Sequence, residues 1–245
     1  MYEDTKSLFT VLESNVLGAF RLWIRVAENC ASNLHQKLLE LWEKDYSKDM
    51  SNWMLQAVLT KSFQSMDDLV AGKFNEDIGS TAVVILVTQT HLITANCGDS
   101  RAVLYRGSEA ISLSRDHKHS RIESLGGVVL DYHGPRVFGV LAMSRAIGER
   151  SFHPWVIPVS NVQFAERAMD DECVIIATDG LWDIVSSDEA ARLATRVLHT
   201  RRGKGSTISR RPLISSNNDA LFLPSLSLQT VRRGHEKPRM ETSIT

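Results

Sequence analysis

Apolar positions change their period twice along the 245-residue chain. From Val26 to Trp42, the residues Ala27, Cys30, Ala31, Leu34, Leu38, Leu41 and Trp42 recur at helical spacing, which predicts an amphipathic helix. A second helical pattern runs through Leu55, Val58, Leu59 and Met66 and ends near the acidic Asp67-Asp68. The period then drops to that of strands. "STAVVILVTQTHLITANCG" reads as two β-rich runs around the polar turn Thr88-Gln89-Thr90, a hairpin buried on at least one face. "AVLYRGSEAISL" repeats strand, glycine turn and strand, so Thr81 to Leu113 predicts an antiparallel meander and not βαβ units. "DHKHSRIESLGG" is a polar connection with a short helix stopped by Gly126-Gly127. "VVLDYHGPRVFG" supplies a further short strand and turn, and Val174 to Thr178 another strand. Ser187 is the expected cap of a helix reaching about His199, with Ala190, Leu193, Ala194 and Val197 on one face. The first 20 residues carry only a short apolar stretch from Val16 to Phe20.

Past His199 the pattern disappears. Residues 200–245 hold nine Lys or Arg against three acids, are rich in Ser, Arg and Pro, and show no sustained period. The expected organisation is therefore a domain over 1–199, divergent over 1–25, followed by a basic, disordered tail over 200–245.

Composition narrows the class. Hydrophobic content of 43% with 23% charged residues suits a soluble globular protein with one sizeable domain. A net charge of −1 argues against bulk electrostatic binding to nucleic acid or to a membrane. Cys30, Cys97 and Cys173 lie far apart in apolar surroundings without metal-ligand spacing, as buried thiols in a reducing compartment would. No segment approaches 18 consecutive apolar residues, and "MYEDTKSLFT" lacks the basic-then-apolar order of a secretory leader. Cytosol or nucleus is the expected location, and a monomer the expected state.

Candidate chemistry collects where buried strands end on polar groups. "ANCGDSRA" places Asp99 just after a strand, "VLAMSRAIGER" surrounds Ser144 and Arg145 with small and polar residues, and "VIIATDGLWDIV" ends on Asp179 with Asp183 four residues on. Acids from several strand ends can meet at one rim, where Mg²⁺ or Mn²⁺ takes oxygen ligands and acidifies a bound water. Each segment also has a plain reading. Asp-Gly is ordinary turn chemistry, and Asp99 before Ser-Arg suits a turn with a surface ion pair. Met143 reads as core filler, and His117 and His119 as solvated groups on a polar loop.

"GSTAVVILV…ITANCGDSRAVLYRG", "DHK", "GPRVFGVLAMSRAIGER" and "DECVIIATDGLWDIVSSDEA" together resemble the metal-dependent serine/threonine phosphatases of the protein phosphatase 2C family. The likeness is to plant members, particularly the abscisic-acid co-receptor group, and spans about residues 26–199. It implies an α+β fold, a four-layer α-β-β-α sandwich of two antiparallel sheets, with two or three Mg²⁺ or Mn²⁺ ions at one end. It also implies a phosphoprotein substrate and a hormone-receptor or kinase partner. Carried over residue by residue, Asp179 is a core metal ligand, and Asp99 and Asp183 serve a further metal position. Glu3 and Asp4 in "MYEDT" resemble the family's Glu-Asp pair. Tyr132 stands where the co-receptors carry the tryptophan that enters the receptor.

The departures from the family pattern are concrete. "AFRLWIRVA" occupies the place of Asp-Gly-His-Gly-Gly, putting Arg21, Leu22, Trp23 and Ile24 where a bridging Asp and a candidate acid are expected. The arginine that precedes the Glu-Asp pair would fall before Met1, and the loop after "DHK" is about six residues shorter than the family's. The family's late Asp-Asn has no match after His199, since "NNDA" at 217–220 lacks the apolar strand expected to follow, so the sandwich is expected to be incomplete. Three readings therefore stay open: an active metal-dependent phosphatase, a catalytically inactive phosphatase-like binding or regulatory protein, and a poorly folding splice-type variant.

Overall fold

A computed structural model describes residues 21–46, 51–74, 77–131, 134–203, 213–214 and 220–224. Helix α1 (Arg21–Leu41) runs into a short π-helical turn (Trp42–Tyr46) and is followed by α2 (Asn52–Ala71). Strands β1 (Gly79–Ser80), β2 (Ala82–Val87), β3 (His91–Cys97), β4 (Arg101–Arg106) and β5 (Glu109–Ser112) come next, then the short α3 (Ser120–Ser124). The hairpin β6 (Val129–Asp131) and β7 (Pro135–Val137) precedes β8 (Ile147–Gly148) and a 3₁₀ turn (Arg150–Phe152). The chain continues through β9 (Asn161–Glu166), β10 (Asp171–Ala177), α4 (Asp179–Trp182), α5 (Ser187–Gly203), β11 (Leu213–Ile214) and β12 (Ala220–Pro224).

Side-chain alternation along the strands dictates the layers. Ala82, Val84 and Leu86 of β2, with Ile93 and Ala95 of β3, pack under α1 and α2 against Val26, Leu34, Leu59, Phe63 and Met66. Their neighbours Val83, Ile85, Val87 and Leu92 point the other way and meet Ala102, Leu104, Val174 and Ile176 of the second sheet. The far face of that sheet, through Val103, Tyr105, Ile175 and Ala177, is covered by Trp182 and by Ala190, Ala191 and Ala194 of α5. A period of 2 in strands buried on both faces thus produces helices, sheet, sheet, helix, the expected four-layer sandwich. One antiparallel sheet has the order β2-β3-β9 and the other β11-β12-β10-β4-β5. A fourth cluster, Ile122, Val137, Leu141, Ala146 and Val156, holds α3 and the β6–β7 hairpin together.

Several expectations are corrected. Thr81 to Leu113 is not one meander: its two hairpins lie in different sheets, and the chain crosses between them at Gly98-Asp99-Ser100. Gly98 makes the crossing with φ +117, and a Cβ there would stand 2.3 Å from Thr81 Cγ2. The missing closing strand is present: β12 pairs antiparallel with β10 from Cys173↔Pro224 to Ala177↔Ala220. β11 and β12 are strands within 200–245, and α5 reaches Gly203, so regular structure continues past 199. Helix α1 begins at Arg21, five residues before the expected start, because "RLWIR" contains no Gly or Pro to interrupt it. Ser186, not Ser187, caps α5 through its hydroxyl, which accepts the Glu189 N–H at 3.3 Å. Leu193 is 46% exposed, and Ala191 takes its place on the buried face.

Candidate metal centre

Asp99, Asp179 and Asp183 come to one end of the second sheet because β4 and β10 are antiparallel neighbours. The register Ala177↔Arg101 brings the start of β4, just after Asp99, beside the end of β10, just before Asp179. Asp179 opens the short α4, and Asp183 follows one turn later, its N–H donating to the Asp179 carbonyl at 2.8 Å. The indole of Trp182 locks this turn to the sheet by donating to the Ala177 carbonyl at 2.9 Å.

Asp179 feels the other two carboxylates. Burial, and then the like charges of Asp99 and Asp183, push the Asp179 carboxyl above the usual aspartate range, while the Gly180 N–H and Lys118 oppose the shift. Asp99 is buried and Lys118 Nζ lies 3.1 Å from its Oδ2. Arg101 forms a two-pronged pair with Asp116 at 2.6 and 3.0 Å, donates to the Ser187 hydroxyl, and lies 5.3 Å from the centre of the Trp182 ring. Its guanidinium is held above its ordinary pKa chiefly by the Asp116 hydrogen bond, with Asp183 and Asp99 also contributing.

His117 organises the wall of this corner. Its Nδ1 accepts the Gly98 N–H at 3.1 Å, and its own N–H donates to the Gly98 carbonyl at 2.9 Å. Burial, helped by the Arg145 charge, lowers its pKa to about 4. The expectation of a solvated His117 is therefore wrong: the ring is a neutral, buried brace with its remaining proton on Nε2. Lys118, Asp116 and this brace were not among the candidate site residues. The "DHK" triplet was their signal, unreadable until the crossing at Gly98 packs it against Asp99.

The donor set suits a hard dication in kind and in charge. Asp99, Asp116, Asp179 and Asp183 face two cations, Lys118 and Arg101, leaving an excess of negative charge that a divalent ion would balance. It falls short in number: among the described residues no three His, Cys, Asp or Glu side chains converge as a ready-made cage. Glu3 and Asp4, the other expected ligands, lie outside the described residues, as does Tyr132. Arg21, where the family places a ligand-bearing turn, is the first residue of α1. The closing strand enters beside this site, Ala220 standing opposite Ala177, two residues before Asp179.

A buried acid elsewhere has a different role. Asp67 of α2 accepts the Gly148 N–H at 2.7 Å and two Arg150 N–H groups at 2.8 and 3.0 Å, tying α2 to β8. The helix expected to end near Asp67-Asp68 runs on to Ala71, so Asp67 sits inside its last turns. Cys30, Cys97 and Cys173 are free, buried thiols, each pushed up mainly by burial, as their apolar surroundings predict. Among the described residues no helix is long and apolar enough to cross a membrane.

Comparison with known proteins agrees with this architecture. The chain is 42% identical over 217 residues to Protein phosphatase 2C 50 of Oryza sativa subsp. japonica, covering 75% of this chain and 56% of that protein. It is 41% identical over 201 residues to Protein phosphatase 2C 16 of Arabidopsis thaliana, covering 70% of this chain and 39% of that protein. The chain thus spans about half the length of these curated relatives. Among solved structures, a serine-threonine phosphatase 2C from Toxoplasma gondii superposes with a TM-score of 0.65 at 18% identity, over 90% of this chain and 89% of that one, a likeness of fold. The family model for protein phosphatase 2C matches residues 20–214, which take in α1, the first sheet, the aspartate corner and every strand of the second sheet except β12, and the chain belongs to that family in its plant type.

Proposed function

We propose that this chain acts as a metal-dependent protein serine/threonine phosphatase, hydrolysing phosphoserine or phosphothreonine in a phosphoprotein. The observation that carries the reading is Asp179, half-buried at a strand end and coupled to Asp99 and Asp183. These three would contribute carboxylate ligands to Mg²⁺ or Mn²⁺, short of a full cage among the described residues, and a bound ion would supply charge stabilisation and an acidified water. The chain's own residues shape the corner: Trp182 pins Asp179, Arg101 is fixed by Asp116, and His117 braces the crossing that presents Asp99. Buried thiols support a cytosolic or nuclear location.

Phosphate release from a phosphothreonine peptide tests this. Release that requires Mn²⁺, stops with EDTA and falls at least ~100-fold in Asp179→Asn is expected. Equal release from wild type and Asp179→Asn would sink the proposal.

A phosphatase-like binding protein is favoured by one observation, the helical Arg21–Ile24 segment where metal ligands are expected. Val128, Leu130 and Val140 are about half exposed around the β6–β7 hairpin, which supports docking of a receptor or kinase there. That reading predicts partner capture unaffected by EDTA and weakened by Leu130→Asp.

A further inference from the structure

Lys118 reaches the carboxylate corner as a built-in cation. Its backbone is seated by the residue before it: the His117 carbonyl accepts the Ser144 N–H at 2.8 Å, and the His117 ring accepts from Gly98. Asn96 Nδ2 holds the same segment by donating to the Arg115 carbonyl at 3.0 Å. The ammonium is thereby placed 3.1 Å from Asp99 Oδ2, close enough to act on Asp179 as well. The partners differ in freedom. The Asp99 side chain is 3% exposed and fixed at the crossing, whereas that of Lys118 is 46% exposed and ends a flexible four-carbon stem.

We propose that Lys118 is an internal counter-ion that a divalent cation must displace from Asp99, so that this lysine sets the metal affinity of the corner. The inference rests on the phosphatase reading given above. An ammonium 3.1 Å from Oδ2 repels a dication seated on the same carboxylate, and the exposed lysine, not the buried aspartate, is the partner free to move, so seating the ion drives the lysine toward solvent. An ion pair with so exposed a lysine stabilises the fold little, which makes its release inexpensive and its removal tolerable.

Calorimetric titration of the full chain with Mn²⁺ tests this, comparing wild type, Lys118→Gln, Lys118→Arg and Asp179→Asn. Lys118→Gln is expected to bind roughly tenfold tighter at unchanged stoichiometry, the order expected for removing one unit charge beside a partly exposed ion. Lys118→Arg should stay near wild type and Asp179→Asn should lose binding. Wild-type binding abolished by Asp179→Asn, with Lys118→Gln within twofold of wild type or weaker, overturns the role of the lysine alone. Failure of both wild type and Lys118→Gln to bind at millimolar Mn²⁺ overturns the metal reading, and this inference with it. Lys118→Met is the second variant if Lys118→Gln fails to melt cooperatively.

Discussion

Two buried carboxylate centres lie in different layers, and the contrast between them separates a structural acid from a functional one. Asp67, between α2 and β8, has three donors on its two oxygens: one backbone N–H and two from Arg150. Asp179, at the end of β10, has two acids among its neighbours and a pKa raised by burial and by their charge. A satisfied buried carboxylate holds a fold together, because removing it orphans its partners. An under-neutralised one is held by the fold at a cost and is available to a cation.

The contrast can be broken most strongly at Asp67. Asp67→Ala leaves the Gly148 N–H and Arg150 without an acceptor and should cost about 3 kcal/mol, discounted because the Arg150 side chain can reach water. Chemical denaturation reads this directly. Next in size is the ion itself. If the aspartate corner binds Mn²⁺, a hundredfold excess over Kd should raise stability by about 2.7 kcal/mol, and Asp179→Asn should abolish the rise. A thermal melt with and without Mn²⁺ checks both proteins.

Glu149 sharpens the comparison from a third position. It is buried beside Asp77 with Oε2 unpartnered, and burial, then the Asp77 charge, pushes its pKa up to about 7. Its backbone is left-handed at φ 54, so the fold holds it in place at some strain. A carboxyl with a raised folded pKa binds its proton more tightly folded than unfolded, so stability falls as pH rises from about 4.5 to about 7. Glu149→Gln should flatten that slope and be more stable than wild type by about 2 kcal/mol at pH 8. Melting temperatures at pH 5 and pH 8 decide it. The smallest effect belongs to Asp179→Asn without metal. Its raised pKa has the same sign, so removing the charge should leave stability unchanged or increase it by less than about 1 kcal/mol at neutral pH, as denaturation would show.

What the sequence displayed and what it hid follow from the range of the interactions involved. Strands β2, β3, β4 and β10 are rich in β-branched and apolar residues, and Asp179 with Gly180 follows the last of them, so the hairpins and the acid pair were legible locally. β12 was not, because "ALFLP" is five residues long, ends in proline and lies among Ser, Asn and Arg. Its strand character comes from its partner β10. The splitting of the meander was equally hidden, since one glycine with positive φ sends β4 into the other sheet. Asp67, Glu149, Lys118 and His117 owe their roles to partners on other elements, often dozens of residues away, and no local pattern marks them.

The most direct measurement is phosphate release per folded molecule, with Mn²⁺, for wild type, Asp179→Asn and Asp67→Asn side by side, at a temperature where all three are folded. Asp179→Asn is expected to keep its stability and lose release, while Asp67→Asn loses stability and keeps release. Equal release from wild type and Asp179→Asn, or release lost through Asp67→Asn alone, would contradict this.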